Sequence, residues 1–444
     1  MSVQERSCWL PEFYGTEPVP GHLKTSGAKE SFLIMINYLI NPGTIFSAAM
    51  GVAGGLSFLT VVLVQLSAVL LSMLAFLVMG RIGVDYGLTG QMACRAALGV
   101  RGGRWLTSPL RAICSIYWFA FQTLAGSMAI AAILEECLGI KLTLVQVSLP
   151  FAFLQVLVAS YGYHWLKNLF KWALPLKLIS LCFIIIMLWL NAGAGSVSFA
   201  VDGHSKALLI MVWFNGIFAG MLTMITDAAD FTRYQKNKRS LWLGAMTGAG
   251  LGVFLGAATG AFAMTLVGGE GDRLFNGILE IVPGIYMALA ILVLIVMDNW
   301  TINVINLYSG GLSLSHTLES LGRLRSTLLV SIPSVVLSCF PIIIHHFLEI
   351  ATTLGMIFSA IAGVLLVDYW SRGWYLNVEA LYQKQGIYWY RQGFRIGSIM
   401  IVILATALGY SLPEGWPPPL IAMLVAGVFY YSLGRIDNQS KKRL

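Results

Sequence analysis

Asp298, Asn299, Thr301, Asn303 and Asn306 crowd into the stretch LIVMDNWTINVINLY (residues 294–308), at the end of a long apolar run. Asn299, Asn303 and Asn306 fall at i, i+4 and i+7, one face of a helix, with Asp298 and Thr301 in a row beside it. A carboxamide both donates and accepts, so this face suits a ligand with a mixed donor and acceptor edge, such as a heterocyclic amide. A charge at the bilayer centre costs roughly 2.5–3.5 kcal/mol on insertion scales, so Asp298 is expected to face a bundle interior and to carry function. The alternative is interhelical hydrogen bonding, natural for one Asn and less so for five polar groups.

Three further stretches carry polar groups inside apolar runs. In SIYWFAFQTLAGS, Ser115, Trp118 and Gln122 share a helix face. An indole plane beside an amide would hold a flat polar ring by stacking and hydrogen bonding. In YLINPGTIFSAAMGVAGG, Pro42 removes an amide donor and Gly43 eases a break, with Asn41 and Thr44 as polar neighbours. In WFNGIFAGMLTMITDAADFTRY, Asn215-Gly216 and Gly220 are the weak points. Each break taken singly reads equally well as a packed kink. If the first ten spans are two five-helix halves, the breaks in the first and sixth occupy matching places, the best pointer in a sequence to a secondary transporter's binding site.

Those helices must lie in a membrane. Of 444 residues, 57% are hydrophobic and 11% charged, more apolar surface than a soluble fold can hide. At about 20 apolar residues per span, the candidate spans are 31–53, 57–80, 109–134, 143–161, 169–191, 207–228, 240–267, 284–308, 326–344, 347–367, 396–412 and 416–433. All twelve are expected to be helices, because lipid does not tolerate open sheet edges. The domain reading is a polar tail over 1–30, a ten-helix core over 31–367, a loop over 368–395, two additional spans over 396–433 and a tail over 434–444.

The net charge of +8 needs no nucleic-acid partner. Lys141, Lys206 and Arg273 fall in loops on one side, whereas Arg81, Arg95, Arg101, Arg104, Arg233, Lys236, Lys238, Arg239 and Lys441 to Arg443 fall on the other. By the positive-inside rule, both termini are expected in the cytoplasm. The polar first 30 residues lack the layout of a cleaved signal peptide. Cys8, Cys94, Cys114, Cys137, Cys182 and Cys339 show no paired spacing, and His345-His346 has no companion ligands, so neither a disulfide framework nor a metal site is expected. There is no phosphate-binding GxxxxGK[ST] loop, so an ATP-driven pump would need a partner subunit, and no catalytic constellation, which argues against an enzyme. Gly244, Gly248, Gly252, Gly256 and Gly260 recur every four residues, the pattern of close helix packing. Lys177, after Pro175, reads as a side chain snorkelling to the interface.

The ordered set GLTGQMACRAALGVRGGRWL (87–106), Trp118-Phe119, DFTRY (230–234), NWTINVINLYSGGL (299–312) and GVLLVDYW (363–370) resembles the nucleobase:cation symporter-1 family, which includes cytosine, purine, hydantoin, allantoin and thiamine-precursor transporters. The resemblance implies an all-α polytopic fold of the leucine-transporter type: two inverted five-helix repeats plus two extra helices. It implies a substrate site between the broken first and sixth helices and the third and eighth. There Trp118 matches a stacking tryptophan and Gln122 a hydrogen-bonding glutamine, with Pro42, Asn299, Asn303 and Ser115 nearby. Gly220 and Met221 stand where members carry a small residue followed by an aromatic, so one stacking wall is replaced, with Phe218 as a candidate substitute.

The implied cation site uses first-helix carbonyls and two eighth-helix hydroxyls. Thr301 supplies one, and Ile302 stands in place of the other. Asn41 and Thr44 would line it. Asp298 would compensate as a ligand for Na+, or carry a proton, since burial disfavours the charged carboxylate. Asp298→Asn is then expected to abolish gradient-driven uptake and spare counterflow. The expectation is a monomeric, multi-pass importer of the inner (plasma) membrane. It would carry a small heterocycle with Na+ or H+, without cofactor or nucleic acid. An amino-acid or amine symporter of the same fold, or a non-accumulating sensor or channel, is the alternative.

Overall fold

The computed structural model describes residues 15–159, 163–192 and 199–442. Cys8, the last two residues of the fourth expected span and the side chains of Lys441 to Arg443 lie outside the described residues. Thirteen helices matter here: α1 (Ala28–Leu39), α2 (Pro42–Ala53), α3 (Phe58–Tyr86), α4 (Ser108–Leu138), α5 (Leu144–Ala159), α6 (Tyr163–Ala192), α7 (Ala207–Leu222), α8 (Lys238–Val267), α9 (Ile285–Thr317), α10 (Gly322–Leu337), α11 (Phe347–Ser371), α12 (Ile396–Ser411) and α13 (Pro418–Lys442). Among the described residues there is no β-sheet. Among the described residues, seven helices are long and apolar enough to cross a membrane, and the α1–α2 pair, bent by 46°, adds an eighth. Leu144–Ala159, Ile396–Ser411 and Pro418–Gly434 are shorter apolar helices. Large apolar side chains such as Trp172, Ile179 and Leu190 on α6 are exposed, as a lipid-facing surface requires.

The first expected break is present, and its chemistry is that of a helix start. Asn41 is the N-cap of α2, its Oδ1 accepting from Thr44 N at 2.9 Å, and Pro42 takes the first helical position, where its missing N–H costs nothing. Asn41 Nδ2 donates to Tyr38 O and Thr44 Oγ1, closing the joint from both sides.

The second break lies elsewhere than expected. α7 runs unbroken through Asn215-Gly216 and Gly220 and ends at Leu222, followed by turns over 223–227 and the short helix Ala228–Thr232. Gly216 is a packing glycine: a Cβ there would lie 2.6 Å from Leu348 Cδ1 on α11. Asn215 Nδ2 donates to Trp416 O at 2.8 Å, so its amide serves the loop before α13 and weakens nothing.

The glycine stripe of α8 lies against both halves of the broken helix. A Cβ at Gly244 would sit 2.1 Å from Ala28 O, and one at Gly260 1.9 Å from Ile45 O. The backbones approach as closely as glycine allows.

Basic loops gather at one end. Arg101 N donates to Gly393 O at 2.8 Å, Arg395 N to Leu98 O at 2.9 Å and Val19 N to Gly87 O at 2.9 Å. Arg95 and Arg104 both meet Glu319, at 3.1 and 3.4 Å. Arg372 pairs with Asp368 of the GVLLVDYW segment at 2.8 Å.

Candidate substrate-binding site

A half-open cavity lies at the joint between α1 and α2. Asn41, Gly43 and Thr44 form its edge, Trp118 and Gln122 of α4 one wall, and Gly220 and Met221 of α7 another. Six of the twelve expected site residues reach it directly: Asn41, Thr44, Trp118, Gln122, Gly220 and Met221 line the cavity, while Pro42 sits between two lining neighbours.

Local bonds hold the wall in place. The amide of Gly43, one of the orphan donors at the start of α2, donates to Gln122 Oε1 at 2.7 Å. That donor decides which way the carboxamide points, leaving Nε2 as the group free to serve a ligand. Trp118 Nε1 donates to Thr223 Oγ1 at 3.0 Å, and Thr223 in turn donates to Gly220 O at 2.7 Å. The indole is thereby tied to the end of α7. A Cβ at Gly220 would lie 3.3 Å from Trp118 Cζ2, so the small residue lets the ring lie against the helix.

The aromatic wall differs from the expectation. Phe218 is buried and stacks on Phe214, with ring centroids 5.7 Å apart, and does not line the cavity. Phe121 and Phe347 do, stacked on each other at 4.6 Å and edge-on to Trp118. Phe121 follows Trp118 by three residues and was legible from helical spacing. Phe347, entering from the start of α11, has no local signal. Tyr38, Ser47 and Gln65 also line the cavity, and Gln65 Nε2 donates to Ser47 Oγ at 3.0 Å.

The carboxamide stripe of α9 faces elsewhere. Asn303 Nδ2 donates to Phe119 O at 3.2 Å, to Thr123 Oγ1 at 3.0 Å and to Gln155 Oε1, and Asn306 Nδ2 donates to Asn303 Oδ1 at 3.0 Å. These bonds join α9 to α4 and α5. Asn299 packs on Gly126 and donates to Ile295 O, and Ser115 packs against Gly310. Neither Asn299, Asn303 nor Ser115 lines the cavity. The physical reason is rotational: Ile302, one position along, is the α9 residue that faces it.

Lys177 does not snorkel. Its side chain is fully buried and its ammonium meets Asp298 Oδ1 at 2.8 Å and Thr301 Oγ1 at 2.7 Å, behind the cavity wall. α6 packs along both α1 and α9, which turns the residue inward. Outside the cavity lining, Arg111 Nε meets Asp227 Oδ2 at 2.8 Å, and Ser309 Oγ donates to the same oxygen.

A helical membrane bundle with a broken first helix and a partly polar cavity at the break has the build of a secondary transporter. The chain is similar in fold to a nucleobase-cation-symport-1 family transporter in a closed conformation with bromovinylhydantoin bound: TM-score 0.80, 19% identity, covering 96% of each chain. It belongs to the family of permeases for cytosine/purines, uracil, thiamine and allantoin, which it matches over residues 18–433. The hydantoin permease of Microbacterium maritypicum is 25% identical over 365 residues, covering 74% of this chain and 70% of that one. The cytosine permease of Escherichia coli (strain K12) is 25% identical over 407 residues, covering 89% of both. These relatives are permeases, not enzymes.

Proposed function

We propose that this permease imports a small nucleobase-like heterocycle by cation symport, with alternating access. The observation that carries the reading is the wall made by Trp118 and Gln122 against the broken helix. The indole offers a stacking face, Gln122 Nε2 offers a donor, and Ser47 and Gln65 add polar atoms on the facing side. A flat ring with donors and acceptors on its rim satisfies these groups, and among the described residues no charged side chain lines the cavity. The hydantoin and cytosine named for the relatives are both ligands of this kind.

In this reading twelve spans cross the plasma membrane, α10 being the one least apolar, with two inverted five-helix repeats followed by α12 and α13. The basic end faces the cytoplasm, as do both termini. We take the permease to act as a monomer. Asn41, Thr44, Asp298 and Thr301 belong to the coupling apparatus. An ion bound there would favour the form that accepts substrate, and substrate would strengthen ion binding by the same factor.

Thermal stabilisation of the purified protein by a panel of nucleobases, hydantoins, allantoin, hydroxymethylpyrimidine and amino acids tests the substrate class, since a ligand that binds only the folded state raises the melting temperature. Heterocycle hits lost in Trp118→Ala support the proposal. Hits confined to amino acids overturn it and favour an amino-acid symporter.

A further inference from the structure

The ammonium of Lys177 sits among four oxygens. From α1 come Asn37 O at 3.2 Å and Ile40 O at 3.0 Å, and from α9 come Thr301 Oγ1 at 2.7 Å and Asp298 Oδ1 at 2.8 Å. Thr301 spends its own proton on Met297 O or Asp298 O, so a lone pair meets the ammonium. Lys177 and Asp298 are both fully buried. The cluster adjoins the cavity, because Leu39, Asn41 and Ile302, the chain neighbours of Ile40 and Thr301, line it.

This is the setting of a coupling ion. In transporters with discontinuous helices, unwound carbonyls and the C-terminal ends of half-helices coordinate the cation. α1 ends at Leu39 as such a half-helix, and the partial negative charge at its C-terminus favours a positive group. A hydroxyl and a carboxylate complete an all-oxygen shell of the type that a hard cation prefers. Here the shell already holds a cation, and that cation is tethered to α6.

We infer that Lys177 occupies the position of a coupling sodium ion, so the protein binds and carries its substrate without sodium. The inference deepens the transporter reading above and rests on it. A sodium ion cannot enter this shell without displacing an ammonium whose three protons serve Asn37 O, Ile40 O and Thr301 Oγ1 and whose charge pairs with Asp298, stranding it in the interior. The tether also means that the charge does not leave with the substrate. A proton is then the one ion the cluster can exchange. Asp298 Oδ1 meets the ammonium as an ion pair, Oδ2 has no partner, and among the described residues Asp298 is the one titratable side chain facing Lys177. The groups contributed by α1 are backbone carbonyls, and Thr301 is neutral.

The test is melting of the ligand-free, detergent-purified full chain in sodium chloride and in choline chloride at equal ionic strength. The wild type is expected to melt at the same temperature in both. Lys177→Ala empties the shell while keeping the Asp298 carboxylate; it is expected to melt lower in choline and to rise by several degrees, saturably, as sodium is added. A sodium-dependent rise in the wild type overturns the inference, and so does a folded Lys177→Ala that ignores sodium. Should Lys177→Ala not fold, the wild type decides alone: heterocycle affinity within about twofold in the two salts supports the inference, and affinity tighter by about tenfold or more in sodium overturns it. The melting readout needs no heterocycle. A panel without hits therefore counts against the substrate class and leaves the sodium result standing.

Discussion

Gly43 N donates to Gln122 Oε1 at 2.7 Å, and this one bond joins the first turn of α2 to the middle of α4 at the rim of the cavity. Under the proposed function, a substrate held by Gln122 would be sensed by the broken helix through this bond, which partners one of its N-terminal amides. Gln122→Leu removes both the ligand donor and the partner of a buried amide. The expected loss in heterocycle binding is about 1–3 kcal/mol, roughly 5- to 150-fold in Kd, read by titration calorimetry. Binding unchanged in the variant would remove Gln122 from the site.

Asn303 provides the opposite case. Its amide bridges α9 to α4 and α5 and does not reach the cavity. Asn303→Leu is expected to lower stability by about 1 kcal/mol, in line with interhelical hydrogen bonds in membranes, and to leave heterocycle affinity unchanged. A folded variant with much weaker binding would return Asn303 to the substrate.

Arg111 and Asp227 form a buried pair between α4 and the turn after α7. Arg111→Ala leaves a carboxylate uncompensated, with only Ser309 to serve it. The expected destabilisation is about 3–5 kcal/mol, seen as a large fall in melting temperature. Arg111→Ala paired with Asp227→Ala is expected to recover part of that loss.

The glycines of α8 differ by what surrounds them. Gly260→Ala would place a Cβ 1.9 Å from Ile45 O, so α8 must move from α2, at an expected cost of about 1–3 kcal/mol. Gly250, where a Cβ would meet only Leu70 Cδ2 at 3.8 Å, is the control. Gly250→Ala is expected to be neutral or to stabilise by up to about 1 kcal/mol through helix propensity. Equal melting temperatures for the two variants would contradict the packing assigned to the stripe.

Asp202, in the loop before α7, ties that loop to the start of α3. Its partial burial alone would raise the carboxyl pKa, but the Ser57 amide at 2.5 Å, Lys206 at 2.9 Å and nearby hydroxyls hold it down at about 2, against an ordinary 3.8. A depressed folded-state pKa stabilises above the unfolded value, and that contribution is lost as pH falls through the folded one. Asp202→Asn is therefore expected to melt below the wild type at neutral pH, with the gap closing between about pH 4 and pH 2. A gap independent of pH over that range would show that the contribution is not carried by the charge.

Much of the fold was legible in the chain. Apolar runs of bilayer length marked the helices, Asn41-Pro42 marked the joint between α1 and α2, and the four-residue glycine repeat marked the closest helix contact. Local signals succeed there because the effect is local: a cap, a missing amide proton, an absent Cβ. The second break was misread because Gly216 and Asn215 answer to α11 and to the loop before α13, partners far away in sequence.

The same division runs through the site. Residue types alone determined that Trp118, Gln122, Asp298 and Thr301 lie within apolar helices and must face the interior, because lipid gives polar groups no partners. Which interior surface each faces was decided only by tertiary packing. A helix turns 100° per residue, so neighbours such as Thr301, Ile302 and Asn303 look in three directions. Thr301 meets Lys177, Ile302 meets the cavity, and Asn303 meets α4 and α5. Lys177 carries the point furthest. In the chain it is a lone cation near a proline; only the docking of α6 against α1 and α9 sets it among four oxygens, where its charge has an acceptor for every proton.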